Sequence, residues 1–456
     1  MKFRYKTQGV CSTDIIIDIN EDNNTINDLQ VIRGCNGNLK GISSLVKGMK
    51  VEDVISRLQG IKCGFKNTSC PDQIACALKE YLEKMFDNRN TQLAHNLLHH
   101  SVNLQEGEKI LIEMLGTACS GLAIELIKQA KEIGAIPLFN IIDYKVLREL
   151  LLNCNEEQIK EYAKYDLQKM QGADAYIGIR SADSKDLEGI SKESMDIYNK
   201  YYQNPVHFEE RVQNTKWCIL RFPNEAMAKM AGMSLSEFTD FYYDVCTLDY
   251  SKMEIAMEPL QNLLSRTKEV HILGKNTDLT FSVEGIPAEK YFGTYNIPDG
   301  EVASCPTKYS ANGHIQYNTK TMYNGITFEN IYFELKDGKI IKAEAGNKTK
   351  ELNEILDTDE GARYIGEFAF GLNPYIHNTM GDTLFDEKVA GSFHFTPGTA
   401  LEESDNGNRS AIHWDIVCIQ TPEYGGGEIF FDNVLIRKDG EFVLEELKAL
   451  NPENLR

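Results

Sequence analysis

Five side chains between residues 301 and 415 have the chemistry of metal ligands. They lie in four short phrases, each flanked by glycine, proline or apolar residues. Carboxylate and imidazole groups suit divalent ions such as Zn²⁺, Co²⁺ and Mn²⁺. A pair of such ions can activate a water molecule and polarise a carbonyl group. The candidate ligands are Glu301, Glu367, His394, His413 and Asp415.

Their positions in the predicted elements favour a shared site. The segment 296–301 is predicted to be a rigid turn that ends in the carboxylate of Glu301. In a strand over 411–417, His413 and Asp415 would point to one face and their apolar neighbours to the other. A charged carboxylate on a buried strand would be costly without a compensating cation. Taken singly, each of the five residue types is more often exposed or hydrogen-bonded than a ligand, so both interpretations stay open.

The elements around these phrases predict a largely antiparallel β domain over residues 266–456. Apolar or alternating runs at 270–273, 279–283 and 331–335 are typical of strands. Asp-Gly turns within 336–339 and 438–441 are typical of hairpins. The candidate ligands therefore lie on strands and turns of this domain.

Residues 85–265 have a different pattern, which predicts an α/β domain. A strand at 109–113, a helical stripe at 122–133 stopped by Gly134, and a strand at 136–141 form one strand–helix–strand unit. Such units build parallel sheets, and 175–179 is a further predicted strand. Trp217–Arg221 is another. The glycine-bounded turn at 116–121 lacks the spacing of a phosphate loop and is interpreted as a plain turn.

A small cysteine-rich α+β domain is predicted over residues 1–84. Strands at 12–18 and 28–33, joined by a turn near Asn23, would place Cys11 and Cys35 opposite each other at the open end of a hairpin. A helix beginning within 68–72, with Pro71 at its first position, would carry Cys70 at its start. With Cys63, these thiols form a candidate structural zinc site. The alternative is a set of reduced thiols in a small core.

Bulk properties limit the class of protein. A chain of 456 residues predicts about three domains, which makes it an α/β and α+β multidomain protein. Its formal net charge of −20 argues against nucleic acid and anionic membranes as partners. The sequence has no apolar run that could span a membrane and no apolar secretory stretch at its start, so a cytoplasmic location is expected.

From about residue 90 to 456 the sequence resembles the leucyl aminopeptidase family typified by aminopeptidases T and S. The four phrases match the ligand-bearing motifs of that family. The resemblance implies a dimeric hydrolase that releases N-terminal amino acids from peptides with two metal ions, Zn, Co or Mn. It implies that Glu301, Glu367, His394, His413 and Asp415 bind the metals. The proton acceptor is left open: Glu301 and Glu367 are the first candidates, and Asp386 or Glu387 are alternatives.

One position departs from the pattern of that family. A tyrosine is expected seven residues after the first histidine, but this sequence has Leu401 there. Loss of one group that stabilises a developing oxyanion costs on the order of a hundredfold in rate. A metal-binding protein with weak or no peptidase activity is therefore the alternative, and Tyr424 is a candidate replacement for the missing phenol.

The N-terminal segment resembles the TSCPD domain. The match is carried by Thr68–Gln73, which contains the motif itself, and by the cysteine-bearing phrases at 9–12 and 34–38. Related domains occur at the end of cobalamin-dependent ribonucleotide reductases. A role of this segment in nucleotide metabolism is thus a further alternative, although about 84 residues cannot hold a reductase barrel.

Overall fold

A computed structural model describes residues 2–20, 24–85 and 88–456. The chain divides into two compact units, Met1–Asn90 and Thr91–Arg456. The turn predicted near Asn23 lies outside the described residues. A boundary near residue 265 within the second unit stays a prediction.

The first unit packs helices against a three-stranded antiparallel sheet of order β1-β2-β3. Isoleucines alternate inward along the central strand, and Ile15, Ile17 and Ile19 are fully buried. The last helix begins at Cys70, one residue before the proline that was predicted to open it. The elements are β1 (Lys2–Lys6), β2 (Ser12–Asn20), β3 (Thr25–Arg33), α1 (Asn36–Val46), α2 (Val51–Leu58) and α3 (Cys70–Met85).

The second unit contains a five-stranded parallel sheet of order β11-β7-β6-β4-β5. The helix after its first strand ends at Ile133, and Gly134 takes the left-handed conformation with a φ of 86°, as its sequence position predicts. The strands are β4 (Lys109–Leu115), β5 (Ile136–Ile142), β6 (Ala175–Arg180), β7 (Lys216–Arg221) and the short β11 (Asn296–Ile297).

Helices surround this parallel sheet and join its strands. The α-helices are α4 (Asn88–Asn96), α5 (Ser120–Ile133), α6 (Tyr144–Leu151), α7 (Glu156–Gln171), α8 (Lys192–Tyr198), α9 (Val212–Asn214), α10 (Glu225–Met230), α11 (Leu235–Cys246) and α12 (Tyr250–Arg266). Leu97–Ser101 and Asn199–Arg211 are π-helical, and Ser184–Leu187 is a 3₁₀ turn.

An eight-stranded antiparallel sheet follows in the order β17-β16-β13-β9-β8-β21-β22-β23. The Asp-Gly turns predicted from the sequence join β16 to β17 and β22 to β23. Its strands are β8 (Glu269–Gly274), β9 (Thr277–Ser282), β13 (Asn312–Gln316), β16 (Tyr332–Lys336), β17 (Lys339–Glu344), β21 (Gly427–Phe431), β22 (Val434–Lys438) and β23 (Glu441–Phe442).

A second antiparallel sheet has the order β10-β12-β18-β19-β20. Its strands are β10 (Glu289–Tyr291), β12 (Glu301–Ser304), β18 (Ile365–Gly371), β19 (Ser392–Pro397) and β20 (Val417–Ile419). A hairpin of β14 (Thr321–Tyr323) and β15 (Ile326–Phe328) completes the strands of the described residues, and the remaining helices are α13 (Thr349–Leu356), α14 (Thr383–Asp386) and α15 (Pro452–Leu455). The 3₁₀ turns are Gly346–Lys348, Glu360–Arg363, Pro422–Tyr424 and Glu445–Leu450.

The two antiparallel sheets pack through aromatic rings. Phe281 of β9 contacts Phe368 of β18 and Phe395 of β19, with ring centroids 5.0 and 5.1 Å apart. Side chains alternate along a strand, so the neighbours of these phenylalanines point to the opposite face of the five-stranded sheet. That face carries Glu367 and His394. The structure therefore has the predicted combination of a parallel sheet with helices and antiparallel sheets.

Candidate metal centre

Three of the five predicted ligands lie on adjacent strands of the five-stranded sheet. Glu301 begins β12, Glu367 lies in β18 and His394 lies in β19. Gly366 directly precedes Glu367, and a Cβ atom there would overlap the carbonyl oxygen of Thr399. Glycine therefore allows the backbone approach that sets the position of the Glu367 carboxylate.

Glu367 belongs to two clusters at once. Its Oε1 lies 3.1 Å from Nε2 of His394, and its Oε2 lies 3.1 Å from Nε2 of His413. Oε2 of Glu301 lies 3.7 Å from the same nitrogen of His394, and Oδ1 of Asp415 lies 3.2 Å from that of His413. In each cluster of three residues, the candidate ligand atoms lie within 4.8 Å of one another. The structure therefore brings all five predicted ligands together.

The segment that carries His413 and Asp415 is less regular than predicted. Within 411–416, all of which is described, the sheet pairing is a single bridge between His413 and Gly398, and strand β20 begins only at Val417. Gly398 has a φ of 114°, and a Cβ atom there would overlap the carbonyl oxygen of Ile412. The segment therefore approaches the backbone at Gly398 and does not form the expected strand with continuous hydrogen bonds. His413 and Asp415 nevertheless point to the same side.

Neighbouring groups orient the candidate ligands of the second cluster. The hydroxyl of Thr396 donates to Oδ1 of Asp415 at 2.9 Å. Nδ1 of His413 lies 3.0 Å from the carbonyl oxygen of Thr399. Because a carbonyl oxygen only accepts, Nδ1 carries the hydrogen, and a neutral imidazole presents the lone pair of Nε2 to the cluster. Metal-binding histidines are commonly held in this way.

Ion pairing decides the charge of the two imidazoles. Burial lowers the pKa of His394, but pairing with Glu367 outweighs it and raises that pKa to about 9. Burial also opposes charge on His413, whereas Asp415 and Glu367 raise its pKa to about 12. Burial raises the pKa of Glu301 to about 7, against the opposing effect of Lys388. Without a cation, the protons on these imidazoles and on Glu301 reduce the repulsion between the buried carboxylates. Metal binding would release these protons.

Two observations show that a divalent metal fits this centre. Oε2 of Glu301 is buried, and no hydrogen-bond partner for it exists among the described residues, which is unfavourable for a carboxylate unless a cation approaches it. The oxygen and nitrogen donors suit Zn²⁺, Co²⁺ or Mn²⁺. The described groups around the centre include five carboxylates and the ammonium of Lys388. If the carboxylates are charged and the imidazoles neutral, their net charge is −4, which two divalent ions would balance. The carboxylates are those of Asp299, Glu301, Glu367, Glu387 and Asp415.

Two residues of this centre were missed by the sequence analysis. The ammonium of Lys388 is 1% exposed and lies 2.9 Å from Oε1 of Glu301. Tyr291 is paired directly opposite Glu301 across β10 and β12, so both side chains lie on one face of the sheet. Burial raises the pKa of the Tyr291 phenol, and the charges of Glu301 and Glu367 raise it further. A phenol thus lies beside the ligand carboxylates even though residue 401 is leucine.

The other residues that were considered near the centre lie in different surroundings. Glu387 lies 2.7 Å from the ammonium of Lys388. The carboxylate of Asp386 instead accepts hydrogen bonds from two backbone amides at positions 380 and 381. The hydroxyl of Tyr424 donates to Asn378 at 2.8 Å, and its ring lines a separate cavity beside Gln420. Of the two tyrosines, Tyr291 is therefore the one that lies beside the candidate ligands.

The four cysteines proposed as zinc ligands in the first unit lie farther apart than the candidate ligands of the second unit. Cys70 accepts a hydrogen bond from the Ser12 hydroxyl at 3.3 Å, and Cys11 accepts one from the Lys66 ammonium at 3.1 Å. Among the residues that the structure describes, no three of the sulfur atoms of Cys11, Cys35, Cys63 and Cys70 lie within 4.8 Å of one another. The zinc site stays a prediction.

Two family models match the chain, one for each unit. Residues 2–82 match the TSCPD domain, and residues 86–442 match the thermophilic metalloprotease family M29. The second match covers most of the chain. The chain belongs to the M29 metalloprotease family. Both resemblances found in the sequence are confirmed, and the M29 assignment makes the chain a metal-dependent hydrolase.

Several M29 relatives match at similar levels. Aminopeptidase PepS of Streptococcus thermophilus is 24% identical over 391 residues, which cover 74% of this chain and 92% of that protein. Aminopeptidase T of Thermus aquaticus is 26% identical over 382 residues, which cover 72% of this chain and 92% of that protein. The solved structure of AmpT from Thermus thermophilus aligns with a TM-score of 0.66 at 21% identity, over 79% of this chain and 100% of that one. This last match shows that the M29 portion has the same fold.

Proposed function

We propose that the chain is an aminopeptidase with two divalent metal ions, one in each carboxylate–histidine cluster. The observation that carries this proposal is the position of Glu367, which directs one oxygen to His394 and the other to His413. A carboxylate shared in this manner suits a pair of neighbouring ions. Its M29 relatives are named aminopeptidases, which supports an exopeptidase acting on peptides.

In this proposal Glu301, Glu367 and His394 hold one ion, and Glu367, His413 and Asp415 hold the other. When bound, a pair of Zn²⁺, Co²⁺ or Mn²⁺ ions supplies Lewis-acid polarisation and lowers the pKa of water. The chain contributes rigidity, because Glu367 and His394 lie in paired strands and are 3% and 1% exposed. It also excludes solvent from the carboxylates, which strengthens every electrostatic interaction with a bound peptide.

Glu301 and Glu367 are the proposed proton acceptors as well as ligands. Glu301 lies in the cluster that contains His394, and Glu367 lies in both clusters. Glu387 is the alternative, because its carboxylate borders the centre through Lys388. Asp386 is less suited, since backbone amides already occupy its oxygens.

The test uses the purified full chain, loaded with Co²⁺ or Zn²⁺, and aminoacyl nitroanilides. We expect release that a chelator abolishes, and little release from the same substrates with an acetylated amine. Metal analysis should give two ions bound by the second unit. A loaded chain that releases no amino acid from any substrate would favour the alternative, a metal-binding protein whose activity is limited by Leu401.

A separate metal site in the TSCPD unit is a second proposal. It is supported by the surroundings of Lys66, whose ammonium lies 3.1 Å from the sulfur of Cys11. The hydrogen bond to Cys11 and the nearby Cys63 and Cys70 raise the pKa of Lys66, so three of the four thiols lie near one point. A Zn²⁺ ion held by Cys11, Cys35, Cys63 and Cys70 would have a four-thiolate shell. We expect the full chain to contain one metal ion more than its Cys11→Ser/Cys70→Ser variant. Equal metal contents would contradict the site. A role in nucleotide metabolism stays a prediction.

A homodimer and a cytoplasmic location complete the proposal. In the described parts of the chain, no helix is both long and apolar enough to cross a membrane. The net charge of −20 argues against nucleic acid as a partner. Light scattering on the purified chain at micromolar concentration should give twice the mass of 51.6 kDa. A single-chain mass would contradict the dimer.

A further inference from the structure

Lys388 is a buried lysine surrounded by three carboxylates. Its side chain is 1% exposed, and its Nζ lies 2.7 Å from Glu387, 2.9 Å from Glu301 and 3.5 Å from Asp299. A buried ammonium is costly unless it is paired and hydrogen-bonded. These three ion pairs hold the ammonium at the edge of the candidate metal centre.

Lys388 contacts only one of the two carboxylate oxygens of Glu301 within the described structure. Oε1 is the atom that contacts the ammonium. Oε2 has no hydrogen-bond partner among the described residues and faces Nε2 of His394 at 3.7 Å. The ion pair therefore fixes the rotation of the carboxylate. One oxygen is occupied, and the other is turned toward the cluster of Glu367 and His394.

The ammonium is itself held in place by groups outside the cluster. Asp299 accepts hydrogen bonds from the backbone amides of Gly293 and Gly300 at 2.7 and 2.9 Å, which anchors one of its three partners. Glu387 directly precedes Lys388 in the chain and supplies the shortest contact. Lys388 thus ties Glu301 to a fixed framework.

The other half of the centre is oriented by different means. Asp415 is fixed by the hydroxyl of Thr396, and His413 by the carbonyl oxygen of Thr399. The ion pairs of Lys388 within the described residues are with Asp299, Glu301 and Glu387 only. Each half of the centre therefore has its own orienting groups.

We propose that Lys388 is a positioning residue for the ion held by Glu301, His394 and Glu367, and that it keeps Oε2 of Glu301 available to that ion. The inference rests on the proposed two-metal function. Lys388 holds a ligand and does not touch the reacting atoms. Its loss should affect one of the two ions and spare the other.

Charge and position predict opposite effects of removing this lysine. An ammonium next to a cation site repels the cation, so loss of charge alone would tighten metal binding. Loss of an orienting partner typically weakens metal binding by about 10–100-fold. The sign of the change therefore separates the two effects. A variant that removes one negative and one positive charge together isolates positioning.

The experiment measures Co²⁺ binding by the metal-stripped full chain and five variants of it, using equilibrium dialysis and visible absorption. All of these chains carry Cys11→Ser and Cys70→Ser, so that the thiolate site proposed for the first unit contributes no ion. In Lys388→Met/Glu387→Gln, which preserves the net charge, we expect one equivalent of cobalt to bind about 10–100-fold more weakly. The second equivalent should keep its wild-type affinity and spectrum. Lys388→Arg, which keeps a charged donor, should restore most of the lost affinity. Thr396→Val is the matched control and should perturb the other equivalent.

The possible failures are distinguishable. Wild-type chain that binds no cobalt in the second unit would overturn the two-metal proposal itself. Two tightly bound equivalents in the double variant, or tighter binding in Lys388→Met, would overturn the positioning role. The same loss in Glu387→Gln alone would assign that role to Glu387. If the methionine variants fold only with metal, they can be produced with cobalt present and then dialysed. We expect one cobalt ion to be retained per chain. Retention of two ions would contradict the positioning role of Lys388.

Discussion

Two buried glutamates of the second unit have opposite surroundings. Glu113 of the parallel sheet is 4% exposed, and Glu367 of the antiparallel sheet is 3% exposed. The oxygens of Glu113 accept hydrogen bonds from the Tyr176 hydroxyl at 2.8 Å and from the Asn140 amide at 3.2 Å. The oxygens of Glu367 face two imidazoles, with further carboxylates behind them.

The difference shows which property marks a site. Burial raises the pKa of Glu113, and its two neutral partners leave no unsatisfied oxygen that would require a cation. At Glu367, burial acts in the same direction, but the imidazoles lower the pKa and keep the carboxylate charged. An unpartnered oxygen of Glu301 lies in the same cluster. Convergent charged groups indicate metal binding, whereas a buried carboxylate alone does not.

The largest expected effect separates these two glutamates directly. Glu367→Gln should lower kcat/KM by on the order of a thousandfold or more and remove both metal ions, because both clusters lose a charged ligand. Glu113→Gln should retain the metal content and peptidase activity of the wild-type chain. Elemental analysis and initial rates on an aminoacyl nitroanilide measure both outcomes. Full metal content in Glu367→Gln would contradict a shared ligand.

The five candidate ligands could be proposed from the sequence because each lies in a short phrase that resembles a ligand-bearing motif of the aminopeptidase family, whereas the residue types alone left their role open. The strands that carry Glu367 and His394 follow from apolar residues and glycines. The parallel sheet likewise follows from strand–helix–strand periodicity. The irregular segment at His413 could not be predicted, since it depends on a tertiary approach at Gly398.

Lys388 and Tyr291 were missed for physical reasons. Lys388 follows two acidic residues in the sequence, where an exposed charged run is the usual outcome. Its burial depends on carboxylates that reach it from Asp299 and Glu301, which lie far away in the chain. Tyr291 lies in a strand of three residues with no motif of its own, so only the pairing of β10 with β12 reveals it.

The next prediction compares two tyrosines that lie beside these glutamates. The Tyr176 hydroxyl is committed to Glu113, whereas Tyr291 faces the metal centre. Tyr291→Phe should reduce kcat by on the order of a hundredfold, as expected for loss of an oxyanion donor, with unchanged metal content. Tyr176→Phe should change stability but leave kcat unaltered. Steady-state kinetics with metal analysis tests the pair.

Leu401→Tyr sharpens this test. If Tyr291 supplies the phenol, this substitution should give little gain in the wild-type chain and a gain of roughly tenfold in Tyr291→Phe. A large gain in the wild-type chain would instead show that the centre lacks a phenol, and would contradict the role of Tyr291.

A smaller effect is expected from the coupling of metal binding to protons. The pKa values of His394 and His413, about 9 and about 12, lie above neutrality, so both imidazoles carry a proton when no cation is bound. Metal binding at pH 7 should therefore release at least two protons per chain, because Glu301, with a pKa of about 7, is also partly protonated. Affinity should rise with pH, less steeply above about pH 9, where His394 is already neutral in the metal-free chain. Calorimetry in buffers of different ionisation enthalpy measures this release. Binding without proton release would contradict the ion-paired arrangement.

The smallest effect concerns the stability of the parallel sheet. Because burial raises the pKa of Glu113 above its ordinary value of 4.5, the folded state holds its proton more tightly than the unfolded state does. The stabilisation from this group is complete below pH 4.5 and decreases as pH rises through the folded pKa. Glu113→Gln removes this dependence but leaves an amide opposite Asn140, at a cost of about 1 kcal/mol. Urea unfolding should therefore show the variant less stable than the wild type at pH 5, with the difference shrinking or reversing by pH 9. A constant difference would mean that Glu113 is charged in the folded protein, and the contrast with Glu367 would then rest on geometry alone.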